Sequence, residues 1–164
     1  MWSSLFAFVI SFVVIAAFWV GHYRTFRYIV DADGRLVAIN FGLLFCIAIL
    51  PFPTSIIASQ GDLSSAAIVY AIFGVATGTF STLLWVYPSR VAHLVSPSVT
   101  PSIARFVTYR AAVIPIVLAI SIPVALVSPV LAWGLWFLAA PVQALVTRRF
   151  RARGLVSLGK VGRT

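Results

Sequence analysis

The sequence predicts an all-α protein, a polytopic bundle of about five helices lying across a lipid bilayer. Three observations predict it. Of 164 residues, 62% are hydrophobic and only 9% are charged, whereas a soluble domain carries roughly 25% charged residues. The charges are gathered into clumps separated by long uncharged runs. The basic clumps fall at every second junction between runs, the pattern of a chain that crosses a membrane repeatedly.

The uncharged runs set the elements. No Asp, Glu, Lys or Arg occurs from Met1 to Tyr23, from Leu36 to Gly61, from Leu63 to Ser89, or from Ala111 to Thr147. About 20 apolar residues cross the hydrocarbon core, so the first three runs hold one crossing each. The last is too long for one and contains Pro129, so it reads as two. The expected spans are residues 2–23, 36–57, 64–87, 102–126 and 129–147, a transmembrane domain over 1–147, with a basic tail over 148–164. Thr100 and Pro101 read as an N-cap and first-turn proline. Pro51 and Pro53 should kink or end the second span. Pro115 and Pro123 fall inside the fourth, where neighbouring helices re-satisfy freed backbone groups.

Charge then orients the path. Arg24, Arg27 and Arg35 follow the first span, Arg90, Arg105 and Arg110 flank the third connection, and the remaining six basic residues lie from Arg148 onward. All 12 fall on one side of an alternating five-span path. The positive-inside rule makes that side cytoplasmic, with the C-terminus inside and the N-terminus outside. An N-terminus outside is explained most simply by one more helix upstream. The net charge of +9 does not imply nucleic acid, because the arginines sit at helix ends rather than in an aromatic-interleaved patch. The expected partner of this surface is the bilayer.

Chemistry-bearing residues are few. At about 100° per residue, Ser4, Ser11 and His22 fall within roughly 20° of one another on the first span, with Trp19 bordering that stripe. Polar side chains in a spanning helix face protein or water. The stripe therefore marks either close packing with His22 at the interface, or a brace in which His22 and Trp19 hold a helix that lines a pathway. Gly74-x-x-x-Gly78 and Thr82 form a small-residue packing face on the third span. Asp31 and Asp33 read as a solvated turn beside Arg35, and His93 as surface. Cys46 is the single cysteine, so no intrachain disulfide or cysteine metal site is possible. No phosphate loop, nucleophile elbow or metal-ligating pattern occurs, and no acid lies within a span. No cofactor, no metal and no enzymatic activity are expected.

The run Ser11 to Phe26 resembles the second helix of the transmembrane protein 175 family of potassium channels, through Ser11, Phe12, Phe18, Trp19, His22, Arg24 and Phe26. Tyr23 departs from the usual second His. The run Ile39 to Thr54 looks like the third helix of that family, through Asn40, Pro51, Phe52 and Thr54, and Trp85 and Tyr87 resemble the end of the fourth. The resemblance implies that the five spans are family helices two to six, that Trp19, His22 and Ser11 support a pore helix, and that the subunits form a homotetramer in a bacterial plasma membrane conducting potassium ions. The Arg-x-x-x-Phe-Ser-Asp signature of the family's pore-lining first helix is absent from this sequence. The expected function is a potassium-permeable channel subunit completed by that helix. The alternative is a non-conducting structural or assembly membrane protein.

Overall fold

The computed structural model describes residues 2–60 and 63–152. It is all-helical apart from connections: α1 Trp2–Phe26, α2 Gly34–Ile49, α3 Pro51–Gln60, α4 Ser64–Val86 with a π turn Tyr87–Val91, α5 Pro101–Val127, α6 Pro129–Phe137 and α7 Ala139–Ala152. Four helical stretches are long and apolar enough to cross a bilayer: Gly34–Gln60, Ser64–Val91, Pro101–Val127 and Pro129–Ala152. With α1, 25 residues long and uncharged as far as Tyr23, they make an integral membrane protein.

Proline explains each irregularity. Pro51 and Pro53 bring no N–H to the ladder, so the second span breaks after Leu50 and resumes as α3. Leu50 N–H takes the Ile47 carbonyl that Pro51 cannot reach, at 3.2 Å, and Thr54 N–H (3.2 Å) and Oγ1 (2.8 Å) both donate to the Leu50 carbonyl across the interruption. Pro88 cannot donate to Leu84, and the end of α4 widens into a π turn closed by Ala92 N–H on Tyr87 O at 3.0 Å. Pro141 cannot donate to Phe137, and the last span divides at Leu138. Thr100 caps α5 by accepting from Ile103 N–H at 3.3 Å, the arrangement its pairing with Pro101 predicts. The last helix runs to Ala152, beyond the expected end at residue 147, so Arg148, Arg149 and Arg151 are helical. Asp62 and the rest of the expected tail lie outside the described residues.

The α4–α5 pair is the most extensive contact in the bundle. Gly74 and Gly78 are buried on it. A Cβ at Gly74 would lie 2.5 Å from Leu118 Cδ1, and one at Gly78 would lie 2.8 Å from Pro115 Cδ and 3.1 Å from its backbone nitrogen. Hydrocarbon exerts no hydrophobic pressure between helices, so such close fit supplies the attraction. Ala67 and Ala71 extend the same small-residue surface and are fully buried. Beyond them, Ala67, Ala125 and Ala132 join α4, α5 and α6. A second cluster, Leu36, Leu43, Ile47 and Leu84, joins α2 to α4 and receives Ile15, Phe18 and Phe26 of α1.

The two glycines should respond differently to a methyl group. Leu118 can rotate away from Gly74, but the ring and backbone of Pro115 cannot leave Gly78. Gly78→Ala is expected to destabilise the chain by about 1–3 kcal/mol, in the range of overpacked sites, and Gly74→Ala by less. Unfolding in mixed micelles monitored by circular dichroism checks the order.

Candidate functional site

The site grows from the arginine-bearing end of α1. On a helix, residues three and four apart stack one above another, and Trp19, His22 and Phe26 do so. The Trp19 and His22 rings lie 5.3 Å apart and nearly parallel at 10°, and the His22 and Phe26 rings lie 4.5 Å apart at 32°. One edge of this ladder turns into the protein. His22 Nε2 lies 2.7 Å from Oδ1 of Asn40 on α2. Facing a carbonyl oxygen, Nε2 serves as the donor of this bond. Both residues are half-buried. The opposite edge is open: Trp19 is 58% exposed.

This bond matters because α1 is thinly packed. None of its described side chains is fully buried. Its backbone runs closest to α3 and, over a shorter stretch, to α4. Leu5, Phe8, Val9, Phe12, Val13 and Trp19 all expose large apolar surfaces. The first span therefore presents an apolar face beside a polar tie to the bundle.

The other predicted positions are distributed as follows. Ser11 lies on α1, but its side chain, like that of Ser4, is outside the described residues. Arg24 is exposed in the last turn of α1. Pro51 opens α3, Phe52 is 62% exposed and Thr54 is buried on Leu50 O. Gly74 and Gly78 face α5 rather than the Trp19–His22 ladder, and Thr82 Oγ1 donates back to Gly78 O at 2.8 Å. The structure thus brings together His22, Trp19 and Asn40, and leaves the packing glycines in a separate contact. No group of three or more metal-ligating side chains occurs among the described residues.

One residue was passed over in the sequence. Asp33 was expected in a solvated turn. It instead caps α2, accepting from Leu36 N–H at 2.8 Å, while its other carboxylate oxygen accepts from the Tyr87 hydroxyl at the end of α4. The signal was available, since an Asp directly ahead of an apolar helical run is an N-cap pattern. The partner, 54 positions away, was not. Nearby, Val30 N–H donates to Leu94 O (2.9 Å) and Ser96 N–H to Tyr28 O (2.8 Å). The first and third arginine-bearing connections are thereby joined at one end of the bundle.

Comparison with known proteins bears on this end of the chain. Residues 1–51, which hold the ladder, Asn40 and Pro51, match the TMEM175 family, described as endosomal/lysosomal potassium channel TMEM175. Over those residues the chain is similar to that family. A potassium channel of Streptomyces collinus is 35% identical over 113 residues, covering 66% of this chain and 55% of that relative. A potassium channel of Chamaesiphon minutus is 30% identical over 99 residues, covering 58% and 49%. The human endosomal/lysosomal proton channel TMEM175 is 26% identical over 111 residues, covering 68% of this chain and 22% of its own length. The chain spans about half the length of these two bacterial potassium channels.

Two measurements follow. A double-mutant cycle on His22→Ala and Asn40→Ala should return a coupling of about 0.6 kcal/mol, and up to roughly 1.7, the values found for hydrogen bonds between spanning helices. Additive losses would mean that the two side chains do not interact. The second concerns Asp33, whose carboxyl is held below its ordinary value, chiefly by the Tyr87 hydroxyl and then by Leu36 N–H. A depressed carboxyl stabilises the fold above its unfolded value of about 3.9 and ceases to as pH falls through its lower folded value. The thermal midpoint should therefore drop on acidification below about pH 4, and Asp33→Asn should flatten that part of the profile.

Proposed function

We propose that this chain is a subunit of a potassium-permeable channel, and that the open face of α1 carries a pore helix. The observation that carries the reading is the Trp19–His22–Asn40 arrangement within the region that matches TMEM175. Asn40 fixes the imidazole from inside the bundle, His22 fixes the indole by stacking, and the indole faces outward where a further helix can seat. The resemblance assigns that place to the pore-lining helix bearing Arg-x-x-x-Phe-Ser-Asp. Bulky apolar side chains on such a helix can form a constriction that gates by dewetting. On this reading the chain supplies the frame that orients the constriction, with subunits arranged as a tetramer and the arginine-bearing end in the cytoplasm of a bacterial cell.

The alternative is a non-conducting structural or assembly role. The small-residue face of α4, which suggested it, is occupied by α5 of the same chain, so a partner in that role would also meet the open face of α1.

Flux in liposomes tests the channel reading. A fusion that places a helix bearing Arg-x-x-x-Phe-Ser-Asp ahead of Met1 should pass potassium in preference to sodium. Trp19→Ala in that fusion should cut the flux by about tenfold or more, the scale on which roughly 1.4 kcal/mol of lost positioning acts. A folded fusion that passes no potassium would refute the reading.

A further inference from the structure

The arginine-bearing end of the bundle also holds a cleft of about 390 Å³, between the π turn and the start of α5. Arg90 lines it from the π turn and Arg105 from the first turns of α5, with Ser89, His93 and Ser96 between them. No acidic residue is part of the lining. The acids on this end are engaged elsewhere, Asp33 with Leu36 N–H and Tyr87, and Asp31 with Ala32 N–H. Two arginines therefore line one concave surface without a carboxylate among its described lining residues.

The backbone around the cleft is held in place. His93 has φ 52°, the left-handed region. Such strain in a non-glycine residue persists only where the surroundings enforce it, and it gathers at ligand clamps and active sites. Here the enforcement is visible. Leu94 N–H donates to Pro88 O at 2.9 Å, and Leu94 O and Ser96 N–H are both bonded to the connection after α1. Trp85, 1% exposed, anchors the other wall by donating from Nε1 to Ala104 O at 3.1 Å.

Depth selects the ligand. The cleft lies where α4 ends and α5 begins, at the boundary of two spans, which is the level of lipid headgroups. Arginine forks match phosphate oxygens in paired hydrogen bonds, and basic pockets between spanning helices hold anionic headgroups. We propose that this cleft binds the phosphate of an anionic phospholipid headgroup, gripped by Arg90 and Arg105. The assignment is independent of channel activity, since it requires only that the chain be in a membrane.

Native mass spectrometry of the detergent-purified chain, offered phosphatidylglycerol and phosphatidylcholine together, tests it. The chain should retain phosphatidylglycerol in preference. Arg90→Gln/Arg105→Gln should lower that retention by roughly 25-fold, at about fivefold for each arginine near an anionic surface. Arg148→Gln/Arg149→Gln, on exposed positions of α7, should change it far less. Unchanged helical content in the Arg90→Gln/Arg105→Gln chain separates lost binding from lost folding, and Arg90→Lys/Arg105→Lys, which keeps the charge but not the fork, should restore only part of the preference. Equal losses from the two glutamine pairs would make the attraction a property of the whole basic surface and overturn the cleft. Undiminished retention by the Arg90→Gln/Arg105→Gln chain at unchanged helical content would overturn it too. So would release of phosphatidylglycerol by inorganic phosphate at matched concentration, which would make a free anion the ligand.

Discussion

Between helices in hydrocarbon there is no water to expel, so attraction comes from shape and from hydrogen bonds that lipid cannot replace. The seat that Gly74 and Gly78 make for Leu118 and Pro115 answers that constraint most directly. It lets α4 and α5 approach closely, and the other helices are placed around the pair. α2 packs against α4 through Leu36, Leu43, Ile47 and Leu84. α6 reaches both through alanines. Trp136 of α6 adds a bond to Ser121 of α5 at 2.9 Å.

Polar contacts are concentrated at the arginine-bearing end, where spans meet water. The Asp33–Tyr87 bond, the bridge between Ile29 and Val95, and the Trp85 bond to Ala104 O all occur there. Each joins elements far apart in sequence. Within the apolar region, most side-chain hydroxyls donate to their own helix, as Thr77 does to Phe73 O and Thr82 to Gly78 O. His22 and Asn40 depart from that habit by linking two spans. The departure falls in the segment shared with TMEM175.

The fold class was legible because bilayer crossing imposes a length and a charge pattern that composition displays directly. Helix starts were legible where capping chemistry is local, as at Thr100 and Pro101. The breaks at Leu50 and Leu138 were less so. Pro51 and Pro53 announced an interruption of the second span, but whether the chain would end or resume there depends on how the freed carbonyls are met, as Leu50 N–H meets that of Ile47. Pro141 lies within the fifth expected span, and the break it causes went unread. At the site, spacing put Trp19 and His22 on neighbouring positions of one face. It could not name Asn40 as the partner, because a contact between helices depends on how they are rotated against each other. The bond from Asp33 to Tyr87 was hidden for the same reason, although the capping role of Asp33 was written in its own neighbourhood.

The interruption at Leu50 has a mechanical consequence for α1. That helix is tied to the segment before the interruption by His22 and Asn40, but leans mostly on α3, the segment after it. The two supports of α1 thus lie on opposite sides of the proline interruption. The Trp2 end is roughly 30 Å from His22 along the helix, at 1.5 Å of rise per residue, so it is the direction in which α3 leaves Leu50, and not the polar tie alone, that sets where the far end of α1 stands in the membrane.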